Sequence, residues 1–326
     1  MLRTAGSAVP RAVPKRLRWP VKGLVRKSGA VPSRRSFRHP TVWAFRAVWV
    51  LLPVLAGPAF DRTLRTTSRP VQLVATVALW AGWAVVVGLA LVPTTVSLTG
   101  LRLIAPVAPV TVLWAVARGL SAVTASVAIA ATVVAATLAF SAELGQPFVQ
   151  GSAYGDERRF PLRVPGPLAL GPLEVGWLVV TAAVLAGPLL LAARQWIAGG
   201  IVSACAGVLA YGFAVRCHQL TRRFAVILPA GVVLHDQMVL ADTALFRRPT
   251  VTALALARAD TEAADLTGKA LGLAVELRLA DMATIVLTGT RREQQGRAIH
   301  LRSAIFAPSR PGRVLEEAQR RGYAVG

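Results

Sequence analysis

The sequence predicts an α-helical transmembrane bundle of four to six spans, followed by an all-β small barrel or sandwich closed by one helix. Three observations carry this. Residues 71–92, 120–142, 175–193 and 196–215 form four apolar runs without a charged side chain. After Arg222 the pattern changes to short alternating segments separated by Gly, Pro and Asp. Eleven of the 37 Lys and Arg fall in the first 40 residues, which contain no acid.

Residues 1–40 read as a disordered basic tail, punctuated by Pro10, Pro14, Pro20, Pro32 and Pro40. No apolar stretch of useful length precedes Val42, so the tail is not a signal peptide. Its charge has two readings: a topogenic signal, or an arm for anionic lipid headgroups that would use Arg34, Arg35 and Arg38. No base-reading motif accompanies it, which argues against nucleic acid as a partner.

Residues 41–216 read as the transmembrane domain. An apolar fraction of 54% and a mean hydropathy of +0.55 are too high for a soluble chain of 326 residues. A 22-residue run such as 71–92 reaches about 33 Å as a helix, the thickness of a hydrocarbon core. Two further segments are ambiguous. Residues 41–60 hold Arg46, Pro53 and Gly57-Pro58, and either span or lie in the interface. Residues 103–117 are interrupted by Pro106 and Pro109, and read as a thin span, a re-entrant segment or a packed bundle helix. The basic start, with Arg216, Arg222 and Arg223 at the far end, predicts cytoplasmic termini and an even number of spans in the cell membrane. That places residues 143–174 on the cytoplasmic side.

Residues 217–326 read as a soluble cytoplasmic domain. Strands are expected at 224–228, 232–234, 243–246, 251–257 and 298–305. Within 271–279, Leu271, Leu273, Val275, Leu277 and Leu279 share one face, with Glu276 and Arg278 on the other. Asp281-Met282 is expected to turn the chain into a hairpin partner at 284–288. Residues 313–321 predict a helix stopped by Gly322.

This order of about seven strands and a closing helix is similar to the pleckstrin-homology-like fold, of which membrane-tethered bacterial versions are known. The whole chain resembles multi-pass membrane proteins of high-GC actinobacteria. The phrases that carry this are Tyr154-Gly155-Asp156-Glu157-Arg158-Arg159-Phe160-Pro161-Leu162-Arg163, Leu228-Pro229-Ala230-Gly231-Val232-Val233-Leu234-His235-Asp236 and Phe306-Ala307-Pro308-Ser309-Arg310-Pro311. The resemblance implies an architecture and no chemistry.

The most distinctive polar segment is 151–167. Asp156, Glu157, Arg158 and Arg159 lie between Tyr154 and Phe160. Arg forks match carboxylate and phosphate, so these six residues form a candidate docking loop for the C-terminal domain, a partner or a headgroup. The bland alternative is a solvated, self-paired loop. Arg222 and Arg223, beside the last run, are candidate headgroup contacts. Arg46 and Arg118 are expected to snorkel to the interface.

Signals of catalysis are absent. His39, His218, His235 and His300 are scattered, and His235-Asp236 reads as a turn. Cys205 and Cys217 suggest neither a disulfide framework nor a metal site. No phosphate-cradling glycine loop or nucleophile elbow occurs, so no cofactor is expected. The expected function is a non-enzymatic scaffold or regulator that binds a membrane or cytoplasmic protein or an anionic headgroup. The alternative is a transport or export component, since broken helices at Pro53, Pro106-Pro109 and Gly187-Pro188 can line substrate sites. Against cation coupling, residues 62–142 contain no acid.

Overall fold

A computed structural model describes residues 39–289 and 296–326. Most of the expected basic tail, with Arg34, Arg35 and Arg38, lies outside the described residues.

Six helical segments are long and apolar enough to cross a membrane. The first, Pro40–Leu64, is α1 (Pro40–Leu55) followed by α2 (Gly57–Leu64). The second is α3 (Arg69–Leu91), and the third, Thr95–Val116, joins α4 (Thr95–Ile104) to α5 (Val107–Val116). Next comes α6 (Ala122–Phe140). After α7 (Ala142–Gln150), β1 (Arg158–Pro161) and α8 (Gly166–Ala169), the last two are α9 (Pro172–Ala192) and α10 (Trp196–Thr221). Both ambiguous segments are therefore parts of full-length helical pairs. Residues 103–117 look short in sequence only because Arg102 divides them from the apolar turns upstream.

The breaks are filled by side chains. Pro53 has no N–H to offer the carbonyl of Trp49 one turn back. The Trp83 indole donates to that oxygen at 3.0 Å, and the Trp49 indole donates in return to the carbonyl of Trp83 at 3.2 Å. At the α4–α5 break, the Trp177 indole of α9 donates to the carbonyl of Leu103 at 2.8 Å.

Two arginines complete helix ends. The final carbonyls of a helix lack intrahelical donors and carry partial negative charge. Neither α3 nor α6 has a basic residue in its last turn. Arg46 of α1 donates from Nε and Nη2 to the carbonyl of Ala90, at 3.0 and 2.7 Å, and lies 4.9 Å from the Trp43 ring centre. Arg102 of α4 donates to the carbonyl of Ala139 at 3.4 Å. The Arg46 guanidinium is thus satisfied by a neighbouring helix end. Arg118 is exposed beside the Trp114 ring, 5.2 Å from its centre.

The α9–α10 hairpin packs through glycine. A Cβ on Gly187 would stand 2.4 Å from the Ser203 hydroxyl, and one on Gly199 would stand 2.7 Å from the Leu191 nitrogen. Small residues let the two backbones approach closely, as helices in lipid require.

The C-terminal region contains two four-stranded sheets that do not close into a barrel. The first has the order β1-β2-β3-β4, all antiparallel, with β2 (Phe224–Leu228), β3 (Gly231–His235) and β4 (Ala244–Arg247). The second has the order β5-β7-β8-β6, formed by β5 (Val251–Leu256), β6 (Ala264–Asp265), β7 (Val275–Leu287) and β8 (Arg297–Phe306). Ile227, Leu234, Phe246, Leu254, Leu277 and Phe306 fill one core, closed by Val314 and Ala318 of α11 (Pro311–Arg320). Gly322 ends this helix at a φ of 74°.

Two strand expectations need correction. The turn at Asp281-Met282 is a bulge inside the 13-residue β7, between Arg278 and Ala283, and β8 is the strand antiparallel to it. Leu271 and Leu273 precede β7 and are 64% and 61% exposed, while Val275, Leu277 and Leu279 are buried. Glu276 is also covered, paired with Arg278 at 2.8 Å and accepting from Thr261 at 3.3 Å.

The tryptophan pair yields a test. Trp83→Phe orphans the Trp49 carbonyl and should lower stability by about 1–3 kcal/mol. In a Pro53→Ala background residue 53 regains its N–H, and the loss should shrink. Unfolding of the four variants in detergent measures this; equal losses in both backgrounds contradict it.

Candidate functional site

The site is the junction where the sheets meet one end of the helices. Its central element is β1, which comes from the stretch between the fourth and fifth of the long apolar helical segments and is an edge strand of the C-terminal sheet. Arg158, Arg159, Phe160 and Pro161 stand opposite Ile227, Val226, Ala225 and Phe224 of β2. The Leu162 amide continues the ladder, donating to the carbonyl of Arg223 at 3.0 Å.

An exposed strand edge invites pairing with other chains. Here α7 covers it. Ser141 caps that helix by accepting from the Leu144 amide at 3.2 Å. Gln146 and Gln150, one turn apart, face the strand. The Gln150 side chain accepts from the Arg159 amide at 2.9 Å and donates to the carbonyl of Glu157 at 2.9 Å, and Gln146 donates to the carbonyl of Arg159. The two glutamines act as a surrogate neighbouring strand.

The six docking-loop residues therefore divide. Phe160 joins the β-domain core. Glu157 pairs with Arg159 at 2.6 Å, both side chains largely covered. Arg158 is half-buried in β1. Tyr154 is 84% exposed, its amide donating to the Glu157 carboxylate at 2.6 Å. Asp156 is exposed, and its carbonyl accepts from the Arg321 guanidinium.

Arg222 and Arg223 also separate. Arg222 is exposed at the end of α10. Arg223 is not a headgroup contact: its side chain is 1% exposed. It grips Asp236 with two bonds of 2.7 Å and donates to the carbonyl of Arg163 at 2.6 Å. Asp236 also accepts from the Met238 amide at 3.1 Å. Three chain segments are tied at one buried point. A buried charge is tolerated only with such complete pairing, and removing one partner typically costs about 3–5 kcal/mol.

Aromatic stacking joins this point to the helices. Phe224 packs against the helical core containing Trp49, Leu98 and Phe148. Arg159 lies 5.0 Å from its ring centre on one side, and His235 stacks at 4.9 Å. His235 Nδ1 is 2.9 Å from the Thr243 hydroxyl. Burial and the nearby Arg222 hold its pKa below the ordinary histidine value; Asp236 partly offsets this and Arg159 adds to it. Higher up, the buried Thr99 hydroxyl of α4 meets the Thr221 hydroxyl at 2.8 Å and His218 Nδ1 of α10 at 3.0 Å.

Between α7 and α11 lies an open groove of about 520 Å³ lined by Glu143, Arg310, Arg313 and Glu316. Its arginines are engaged, Arg310 with Glu143 at 3.5 Å and Arg313 with Glu316 at 3.1 Å. Among the described residues, no three His, Cys, Asp or Glu side chains gather as metal ligands. Comparison with known families, curated proteins and solved structures finds no match for the chain.

Asp236, Gln146, Gln150 and Arg102 escape the sequence reading. Of these only the glutamines leave a trace, as a spacing of four on one face of a short polar helix.

His235 sets a pH dependence. Its folded pKa lies below the unfolded value of 6.5, so its contribution to stability is full above that value. The contribution falls as pH drops through 6.5 toward the folded pKa. Between about pH 7.5 and 5.5, wild type should lose more thermal stability than His235→Gln. Equal losses contradict this.

Proposed function

We propose that the protein is a non-enzymatic, membrane-embedded scaffold or regulator whose β-domain lies in the cytoplasm and binds a protein partner or an anionic lipid headgroup. One observation carries the reading: the β-domain takes its first strand from between two membrane spans, so it is built onto the helices rather than tethered to them. Such a domain holds a fixed position and orientation at the membrane surface, which suits recruitment.

The cytoplasmic assignment draws on the basic N-terminal segment and on Arg216 and Arg222 at the end of the last span. The antiparallel meander of β1–β4, the second sheet and the closing α11 support a pleckstrin-homology-like reading of the domain. Transport through the helices has less support. At the breaks near Pro53 and Pro106, Trp83 and Trp177 occupy the carbonyls that a substrate path would use.

Gentle detergent extraction through an N-terminal tag, with mass spectrometry of retained proteins and lipids, tests the proposal. A stoichiometric protein or bound anionic lipid is expected, reduced in Arg222→Glu. Recovery of the protein free of both overturns it.

A further inference from the structure

Leu170, Leu271 and Leu273 are 71%, 64% and 61% exposed, an expensive arrangement for side chains facing water. Leu271 and Leu273 are held beside α8, the short helix that Leu170 follows, for a reason the backbone supplies. The Gly166 amide, at the start of α8, donates to the carbonyl of Lys269 at 3.1 Å. A Cβ on Gly166 would stand 3.8 Å from the Leu271 side chain. The Arg163 guanidinium fixes the loop by donating to the carbonyls of Leu271 and Leu273, both at 2.9 Å. Gly272, at a φ of 94°, permits that contact, since a Cβ there would stand 2.6 Å from Arg163 Nη1.

The loop is therefore held against α8, and α8 leads directly into a membrane span. Leu170 follows α8, and α9 begins at Pro172. The seven residues from Gly166 to Pro172, largely helical, cover only roughly 10 Å. The apolar surface of the loop thus continues into the exposed apolar surface of α9, where Val175, Leu178 and Val179 are 60%, 51% and 53% exposed.

We propose that residues 268–273 form an interfacial membrane anchor. Leu271 and Leu273, with Leu170, enter the boundary between headgroups and acyl chains beside α9. Exposed Lys269 stays at headgroup level, where a lysine amine meets lipid phosphate. The anchor fixes the second sheet to the bilayer at a point separate from the β1–β2 seam, so the domain has two attachments. This rests on α9 crossing the bilayer, which the same experiment examines independently.

The test uses single cysteines in a Cys205→Ser, Cys217→Ser background, labelled with an environment-sensitive fluorophore and reconstituted in phosphatidylcholine–phosphatidylglycerol vesicles. Leu271→Cys reports on the loop, and Leu178→Cys on the lipid face of α9. Lipids with a spin label high on the acyl chain should quench the residue-271 label at least about two-fold. Quenching at 178 but not at 271 overturns the anchor and leaves the span intact. A shielded, blue-shifted but unquenched label at 271 also overturns it, since a protein surface then covers the loop. No quenching at 178 overturns the membrane reading of α9 itself.

Discussion

Pairing of Arg158–Pro161 with Phe224–Leu228 ties together two points of the chain that have α8, α9 and α10 between them. Without it α9 and α10 would still pack on the other helices, through Trp177 to Leu103 and Thr99 to Thr221, but the sheets would lose the strand that joins them to the stretch before α9. With it, the β-domain closes a loop around the α9–α10 pair. The local chemistry converges on that closure. Gln146 and Gln150 protect the outer edge of the inserted strand, Arg223 and Asp236 lock its exit, and Phe224 carries the packing up into the helical core.

The helices follow the same logic in a solvent that offers no hydrogen bonds. In lipid a free carbonyl has no water to turn to, so each irregularity must be answered by a protein donor. Trp83 answers Pro53, Trp177 answers the break before Pro106, and Arg46 and Arg102 answer the ends of α3 and α6. These prolines and arginines, taken alone, resemble the marks of a conduction path. Their partners within the protein give them a role in packing.

Much of the architecture was legible because it rests on local pattern. Length and the absence of charge reveal the helices of 71–92 and 120–142, and alternation with turn residues reveals β2, β3, β5 and β8. The failures are all non-local. Residues 158–161 read as loop because four residues between turns carry no period, and only β2, far along the chain, makes them a strand. Asp281-Met282 looks like a turn and is a bulge because β8 continues beside both halves of β7. Arg223 looks like a surface charge after a span, and Asp236 alone buries it. The segment 151–167 stood out in the sequence, but its division into core, seam and surface depends on partners no local window contains.

Amide hydrogen exchange on the intact protein in nanodiscs tests the inserted strand most directly. If β1 is a member of the sheet, the peptide covering residues 156–163 exchanges as slowly as those from β2 and β3, while 151–155 exchanges fast. Exchange of 156–163 at the rate of 151–155 would mean that the strand is not paired, and the seam that joins the β-domain to the helices would not exist.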